Sequence, residues 1–211
     1  MRDLWLIRHA ESVANAGETT STPREIPLSA DGREQARLFA AAAGERPDLI
    51  VVSPYVRTHQ TAEPLIELYP DADVEEMLVQ EFTYLSVTRC RGTNFQQRKP
   101  WVSEYWERAD PFYADGGQAE SFAQLIGRCV QFERQIAERE FELAFVFTHE
   151  QFIKGLLWRS LQTAVEMTSD LMRSYQKFMT SFTVPNTAVV RVKLDTDRRF
   201  YFGSIETVVI K

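Results

Sequence analysis

Two arginines and two histidines follow three short apolar segments of the sequence. Arg8 and His9 come directly after residues 4–7, Arg57 follows residues 49–52, and His149 follows residues 143–147. Short apolar runs of this kind are typical of buried strands in a parallel sheet. Because ligands of such sheets bind outside the carboxyl ends of the strands, we expect these side chains to converge there. Two guanidinium groups beside two imidazoles would form a pocket for an anion.

Helical patterns separate these strands and position their ends. One helix is predicted to begin after Ser29, a plausible N-cap, and to stop at Gly44. Further helices are predicted at residues 56–68 and 119–140, through residues 152–161 and over residues 167–179, and a third strand or loop near residues 74–81. Two strands are predicted at 188–194 and 200–210. Strands that alternate with helices indicate a layered α/β fold, here one domain over residues 1–211.

Residues 83–118 break this alternation and are predicted to be irregular. Arg89, Arg91, Arg98 and Lys99 fall within a stretch that contains no acidic residue, and several aromatic residues follow. This basic run is consistent either with a solvated loop or with a lid over a substrate.

The composition excludes several classes of protein. With 211 residues, 44% of them hydrophobic, the chain is long enough to form a full core. A net charge of −6 argues against a nucleic-acid surface, which is usually basic. Cys90 and Cys129 are predicted to be free thiols. We find no signal peptide and no apolar stretch of the ~20 residues that a membrane helix needs, so the sequence predicts a soluble, cytoplasmic protein.

Five blocks of the sequence resemble, in order, the motifs of the histidine phosphatase superfamily, which includes the cofactor-dependent phosphoglycerate mutases. The blocks are residues 6–12 with Asn15, residues 27–36, residues 53–62, residues 147–149 and residues 186–187. The resemblance covers most of the chain and leaves out residues 83–118, where family members vary. It implies a three-layer α/β/α sandwich with a mostly parallel central sheet, and a variable, substrate-facing segment at 83–118.

The resemblance also implies a role for each residue of the anion pocket. His9 would be the nucleophile and would become a phosphohistidine, which divides one difficult displacement into two easier ones. Arg8, Arg57 and His149 would hold the phosphoryl oxygens, whose charge needs pre-placed cations. Asn15 would add a hydrogen bond near the entrance. No cofactor and no metal are implied, and the pocket would accept phosphate or another tetrahedral oxyanion.

The general acid is left open between two glutamates. The family takes a glutamate after the third strand, and Glu81 matches that position. Glu120 is the competitor. We favour Glu81 on position alone.

Three positions depart from the family pattern. Ala10 replaces the usual glycine after the first histidine, and a local backbone adjustment is expected there. Glu150 and Gln151 replace small residues after the second histidine, which places an extra acid near the pocket mouth. His59 replaces a small residue and is interpreted as a packed or solvent-edge helix residue, while Ser53 is interpreted as a strand-end or cap residue.

These observations predict a metal-independent phosphomonoester hydrolase that acts through phosphohistidine on a small phosphorylated metabolite. Arg89 and Arg91 are the candidates to bind the rest of the substrate. The alternatives are a phosphoglycerate mutase-type transferase, a phosphoprotein phosphatase acting on phosphohistidine, and a non-catalytic binding protein on the same fold. The end of the sequence at Lys211, directly after a predicted strand, favours hydrolysis over mutase chemistry. The oligomeric state is not predicted.

Overall fold

Alternate residues of the first strand face opposite sides of a sheet, and both sides are apolar. The structure is a computed structural model that describes residues 1–162 and 166–207. Its strands are β1 (Arg2–Arg8), β2 (Leu49–Val52), β3 (Asp73–Glu76), β4 (Leu143–Thr148), β5 (Ala188–Leu194) and β6 (Phe200–Thr207). Its helices are α1 (Ala30–Ala42), α2 (Val56–Leu68), α3 (Val87–Cys90), α4 (Phe95–Arg108), α5 (Phe122–Ala137), α6 (Glu150–Ser160) and α7 (Ser169–Thr180).

The six strands form one sheet in the order β3-β2-β4-β1-β5-β6. The first four strands in this order are parallel to one another, whereas β5 pairs antiparallel with β1 and β6 antiparallel with β5. The predicted mostly parallel sheet is therefore confirmed.

Two layers of helices cover the sheet. Trp5 and Ile7 of β1 pack on the side of α1 and α2, in a core cluster that includes Phe39 and Leu65. Leu4 and Leu6 face the other side and join the larger cluster, which includes residues of α4, α5, α6 and α7. Burial on both faces explains why these strands read as continuous apolar runs. The result is the predicted α/β/α arrangement.

The start of α1 is fixed to the loop that follows β1. Ser29 caps the helix, as predicted, by accepting a hydrogen bond from the N–H of Gly32. Gly32 lies directly against the backbone of Glu11, so a Cβ there would sit 1.8 Å from the carbonyl oxygen of Glu11. Only glycine permits this approach. The helix therefore holds the chain immediately after His9.

The expectation that residues 83–118 are irregular is wrong. The segment contains α3 and α4, and Tyr105 and Trp106 of α4 are buried in the larger core cluster. Asn94 and Gln97 start α4 with a reciprocal capping box, in which each side chain bonds the other residue's backbone N–H. Pro100 lies inside this helix, and a proline at such a position usually indicates the end of a helix.

The remaining differences are at the ends of elements. The helix predicted at 119–140 spans Phe122–Ala137, because a second capping box at Ser121 and Gln124 starts it. The predicted last strand, 200–210, is observed as Phe200–Thr207, and residues 208–210 lie outside the described residues. No helix in the described part of the chain is long and apolar enough to span a membrane.

Candidate active site

The carboxyl ends of β1, β4 and β2 lie side by side and bring three of the predicted residues together. Arg8 pairs with Thr148 in the β1–β4 register, and the N–H of His9 donates to the carbonyl of Thr148 at 3.0 Å. On the other side of β4, the N–H of Ser53 donates to the carbonyl of Phe147 at 3.1 Å. These contacts place His9, His149 and the start of α2, which carries Arg57, at one edge of the sheet.

His9 is held as a neutral imidazole with one defined tautomer. Its Nδ1 lies 2.7 Å from the carbonyl oxygen of Ala10, which can only accept, so Nδ1 carries the proton. Its Nε2 therefore has the lone pair, and it accepts a hydrogen bond from Nε of Arg57 at 3.0 Å. Burial, and then the charge of Arg57, lower the pKa of His9 well below 6.5.

His149 is fixed from both ring nitrogens. Nη2 of Arg57 donates to its Nδ1 at 3.0 Å, so its Nε2 carries the proton and donates to Oγ of Ser53 at 2.7 Å. Burial and Arg57 also lower the pKa of His149 well below 6.5. Ser53 is therefore more than a strand-end residue, because it orients His149. Only the adjacency of β2 and β4 reveals this, and it is not visible in the sequence.

Arg57 is the centre of the cluster. Its third nitrogen, Nη1, donates to the carbonyl of Pro23 at 2.7 Å, and the guanidinium lies 4.9 Å from the centre of the Tyr55 ring. The side chain is 5% exposed, and burial lowers its pKa to about 10. At neutral pH Arg57 remains a cation that contacts both histidines.

The loop after β1 is held from two sides. The N–H of Ala10 donates to Oγ1 of Thr61 at 3.0 Å, and Nδ2 of Asn186 donates to the carbonyl of His9 at 2.8 Å. Asn15 is exposed, and its Oδ1 accepts from the N–H and the hydroxyl of Ser12 at 3.2 and 2.9 Å. The carboxamide oxygen of Asn15 is thus engaged in the loop itself.

Arg8 is paired with an acid that the family pattern lacks. Its Nη1 lies 3.1 Å from Oε2 of Glu150 and 2.5 Å from the carbonyl of Val184. Oε1 of Glu150 lies 2.7 Å from Nζ of Lys154, a side chain that is almost fully buried. Glu150 therefore forms ion pairs with two cations and is not a free carboxylate at the pocket mouth. Nε of Arg8 is buried and has no hydrogen-bond partner among the described residues.

Glu81 lies at the site as a partly buried carboxyl group. Its Oε1 accepts from the backbone N–H groups of Phe82 and Gln151, both at 3.0 Å. Burial raises the pKa of Glu81 above 4.5, although Arg57 opposes this shift. The carboxyl group is therefore biased towards the protonated form that a general acid needs. Gln151, one of the residues that depart from the family pattern, contributes through its backbone N–H.

Glu120 is committed to another task. Both of its oxygens accept from Arg128, at 2.5 and 2.7 Å, and Nη1 of Arg128 donates to the carbonyls of Leu78 and Gln80, both at 3.0 Å. We call this pair the Arg128 clamp. The bonds to these two carbonyls hold the chain directly before Glu81. Glu120 therefore stabilises, through Arg128, the segment that positions the other candidate acid.

The structure does not bring Arg89 or Arg91 to the histidine cluster. Arg89 is ion-paired with Asp115 and lies over the Trp101 ring, while Arg91 is exposed. Arg98 donates to Thr20, Thr93 and the carbonyl of Cys90. His59 is also remote, since it is paired with Glu76 on the surface.

Two cavities adjoin Glu81. The smaller one, which we call the apolar cavity, measures about 230 Å³ and reaches Arg57. The other, which we call the glutamine cavity, measures about 490 Å³ and does not include Arg57 in its lining. Its wall includes the side chains of Gln80, Gln118, Gln124, Gln131, Glu120 and Arg128. The smaller cavity is the one connected to the histidine cluster through Arg57. Residues 1–162 and 166–207 contain no group of three or more side chains arranged to hold a metal ion.

The chain is similar to known proteins over most of its length. The adenosylcobalamin/alpha-ribazole phosphatase of Escherichia coli (strain K12) is 26% identical over 172 residues, 77% of this chain and 81% of that protein. The structure of the alpha-ribazole phosphatase from Shigella flexneri has a TM-score of 0.73 at 19% identity and covers 99% of this chain and 98% of that one. The structure of a mycobacterial glucosyl-3-phosphoglycerate phosphatase has a TM-score of 0.72 at 20% identity, with 95% and 96% covered.

The last two similarities concern the fold. The sequence model of one protein family matches residues 4–202. This range includes His9, His149, Arg8, Arg57 and Glu81. The chain belongs to the histidine phosphatase superfamily (branch 1).

Proposed function

We propose that the protein hydrolyses a small phosphomonoester and that Nε2 of His9 carries the phosphoryl group between the two steps. The observation that supports this most directly is the fixed tautomer of His9, whose Nδ1–H bonds the carbonyl of Ala10 while the Nε2 lone pair points at Arg57. Family membership supports the same chemistry. The relatives reported above are named as phosphatases of alpha-ribazole and glucosyl-3-phosphoglycerate, which favours a small phosphorylated metabolite as substrate.

In the first step, Nε2 of His9 attacks phosphorus and the bond from phosphorus to the leaving oxygen breaks. His149, whose Nε2–H stays bonded to Ser53, positions Arg57 before the substrate binds. The N–H groups of Arg57 then turn from the two imidazoles to the phosphoryl oxygens, together with those of Arg8. These donors stabilise charge that spreads over three oxygens in the transition state. Glu81 gives its proton to the leaving oxygen, so the product is a neutral alcohol and Glu81 becomes a carboxylate.

In the second step, a water molecule attacks the phosphohistidine. Glu81, now ionised, takes a proton from this water as the phosphorus–oxygen bond forms. The phosphorus–nitrogen bond breaks, and inorganic phosphate leaves. His9 and Glu81 return to their starting protonation states, which completes the cycle without a metal ion.

A trapping experiment tests this proposal, and the chain supplies its own control. The sequence has three histidines, of which His59 is exposed and remote from the cluster. Quenching with alkaline detergent during turnover of a ³²P-labelled ester should leave base-stable, acid-labile label on the parent protein and on His59→Asn. His9→Asn should carry no label and should turn over at about one thousandth of the parent rate or less. Label that survives His9→Asn, or label that is base-labile, would contradict the nucleophile.

A further inference from the structure

The apolar cavity connects the histidine cluster to the helices of residues 83–118. Arg57 and Glu81 line one part of it, together with Gln151. Most of the other lining residues are aliphatic or aromatic: Pro23, Ile26, Phe82, Tyr84, Leu85, Val87, Phe95 and Val102. At about 230 Å³ the cavity is smaller than the roughly 300–1,000 Å³ of clefts that accept drug-sized ligands. Glu81 is thus part of the wall of the cavity that reaches the histidine cluster through Arg57.

Arg98, the basic residue in this part of the wall, donates from two of its three nitrogens to the protein itself. Arg98 is the only cation besides Arg57 among the described residues that line the apolar cavity, and its Nε and Nη2 donate to Thr93, Thr20 and Cys90. Arg89 is paired with Asp115, and neither Arg89 nor Arg91 is part of the lining. A second anionic group on the substrate would therefore meet few free donors here.

Phe95 marks the outer part of the same cavity. It is 62% exposed, and Nζ of Lys99 lies 5.9 Å from the centre of its ring. A ligand in the apolar cavity would cover part of the ring.

Building on the proposed function, we infer that the substrate is a phosphomonoester with an uncharged, largely apolar leaving group, such as a single aromatic ring or a short alkyl chain. The phosphoryl group supplies the charge that the two arginines need. A carboxylate further along the leaving group would lose its hydration against Phe82, Leu85 and Val102, and such a loss is costly without a compensating partner. The glutamine cavity offers the opposite chemistry, because its amide side chains suit a polar leaving group.

A matched pair of esters tests whether the site prefers an apolar or a charged leaving group. Hexyl phosphate and 5-carboxypentyl phosphate have leaving oxygens of almost equal basicity and differ only at the far end of the chain. The apolar cavity predicts that kcat/KM for hexyl phosphate exceeds that for 5-carboxypentyl phosphate by about 10-fold or more. Methyl phosphate, which is too short to reach the apolar wall, serves as the reference for the chemistry alone.

Exposed phenylalanines provide matched variants that should fold normally. Phe95→Ala should lower kcat/KM for hexyl phosphate by about 3- to 10-fold and leave methyl phosphate unchanged. Phe112→Ala is the control, since Phe112 is 68% exposed and does not line the cavity. Phe95→Lys, which adds a cation at the mouth, should narrow the ratio between hexyl phosphate and 5-carboxypentyl phosphate. Gln131→Ala, in the wall of the glutamine cavity, should change neither ester.

Two results would overturn the inference while leaving the phosphatase function intact. One is equal or better hydrolysis of 5-carboxypentyl phosphate by the parent protein. The other is a selective loss on hexyl phosphate in Gln131→Ala but not in Phe95→Ala, which would place the leaving group in the glutamine cavity. If the parent releases phosphate from none of the three esters, nor from any other phosphomonoester, the proposed function is wrong and the inference falls with it.

Discussion

Arg57 donates a hydrogen bond from Nε to the same lone pair of His9 that the proposed reaction requires, over 3.0 Å. The contact holds the imidazole neutral, because a second proton on Nε2 would face a buried cation. It also means that Arg57 must exchange a nitrogen acceptor for phosphoryl oxygen before attack can occur. A dianionic phosphoryl group is a stronger acceptor than a neutral imidazole, so substrate binding itself drives this exchange.

The role of Glu81 predicts an effect that depends on the leaving group. Glu81→Gln should lower the rate of phosphohistidine formation from alkyl phosphates by about 100-fold or more, the scale of general acid catalysis. An activated aryl phosphate should react almost normally in this step, because its leaving oxygen needs no proton. Burst kinetics should be used, since the later hydrolysis of phosphohistidine also depends on Glu81.

Glu120→Gln is the matched control for this measurement. The amide keeps one oxygen for Arg128, so the variant should show a smaller effect than Glu81→Gln. If Glu120→Gln shows the strong dependence on the leaving group and Glu81→Gln does not, the assignment of the acid is wrong.

The two perturbed groups predict an asymmetric pH profile for kcat/KM on an alkyl phosphate. Attack needs neutral His9, whose pKa lies well below 6.5, so the nucleophile stays competent far into the acid range. Protonation of the leaving oxygen needs protonated Glu81, whose pKa is raised above 4.5, so activity should fall as the pH rises through that raised value. A pH series on the parent and on Glu81→Gln checks the sign. The decline of kcat/KM with rising pH should disappear in the variant, and its persistence would assign it to another group.

Variants of the Arg128 clamp should affect the free energy of unfolding and the reaction rate differently. Arg128→Met leaves the partly buried Glu120 without its partner and should lower the free energy of unfolding by about 1.5–3 kcal/mol. Replacing both residues by methionine should recover much of this loss. The double variant should nevertheless react about 10- to 100-fold more slowly with alkyl phosphates, because the carbonyls of Leu78 and Gln80 no longer hold the chain before Glu81.

An aryl phosphate gives the readout that a general loss of folding would not produce. In the double variant its rate of phosphohistidine formation should be close to that of the parent. A uniform decrease on both esters would mean that the clamp does not act through Glu81.

Glu150 and Lys154 should be strongly coupled in stability. A double-mutant cycle with Glu150→Gln and Lys154→Met, measured by chemical denaturation, should give a coupling of about 1–3 kcal/mol, since the pair is largely buried. Asp170 and Arg173 form an exposed pair three residues apart and should show no measurable coupling in a parallel cycle. Similar values in the two cycles would show that burial does not strengthen the Glu150 pair.

The parallel core of the fold was predictable because its strands are apolar on both faces and their ends carry the basic residues. The same logic predicted that His9, Arg57 and His149 would meet. The partners that orient them were not predictable in this way. Ser53 reaches His149 only because β2 lies beside β4, and the strand order depends on packing of the whole chain.

The basic run at residues 89–99 shows where local sequence misleads. A local absence of acids suggested free cations, but Asp115 returns to Arg89 from 26 residues away. The helix α4 was within reach of the sequence, because Asn94 and Gln97 have the spacing of a capping box. Pro100 and the surrounding polar residues obscured it. The ion pair of Glu150 with Lys154 was also predictable, because the two residues are four apart on one helix. The pair of Glu150 with Arg8 was not, because these residues are far apart in the sequence.

The pairing of β1 with β4 has a consequence for how the protein is made. Residues that are neighbours in the sheet, such as Arg8 and Thr148, are separated by most of the chain, and β5 then closes the other side of β1. Such distant contacts are slow to form, because a long loop must close before they provide any stabilisation. A nascent chain that has left the ribosome only as far as α5 carries the nucleophile but lacks the strand beside it. Catalytic competence should therefore appear late and abruptly during synthesis, after β5 has emerged.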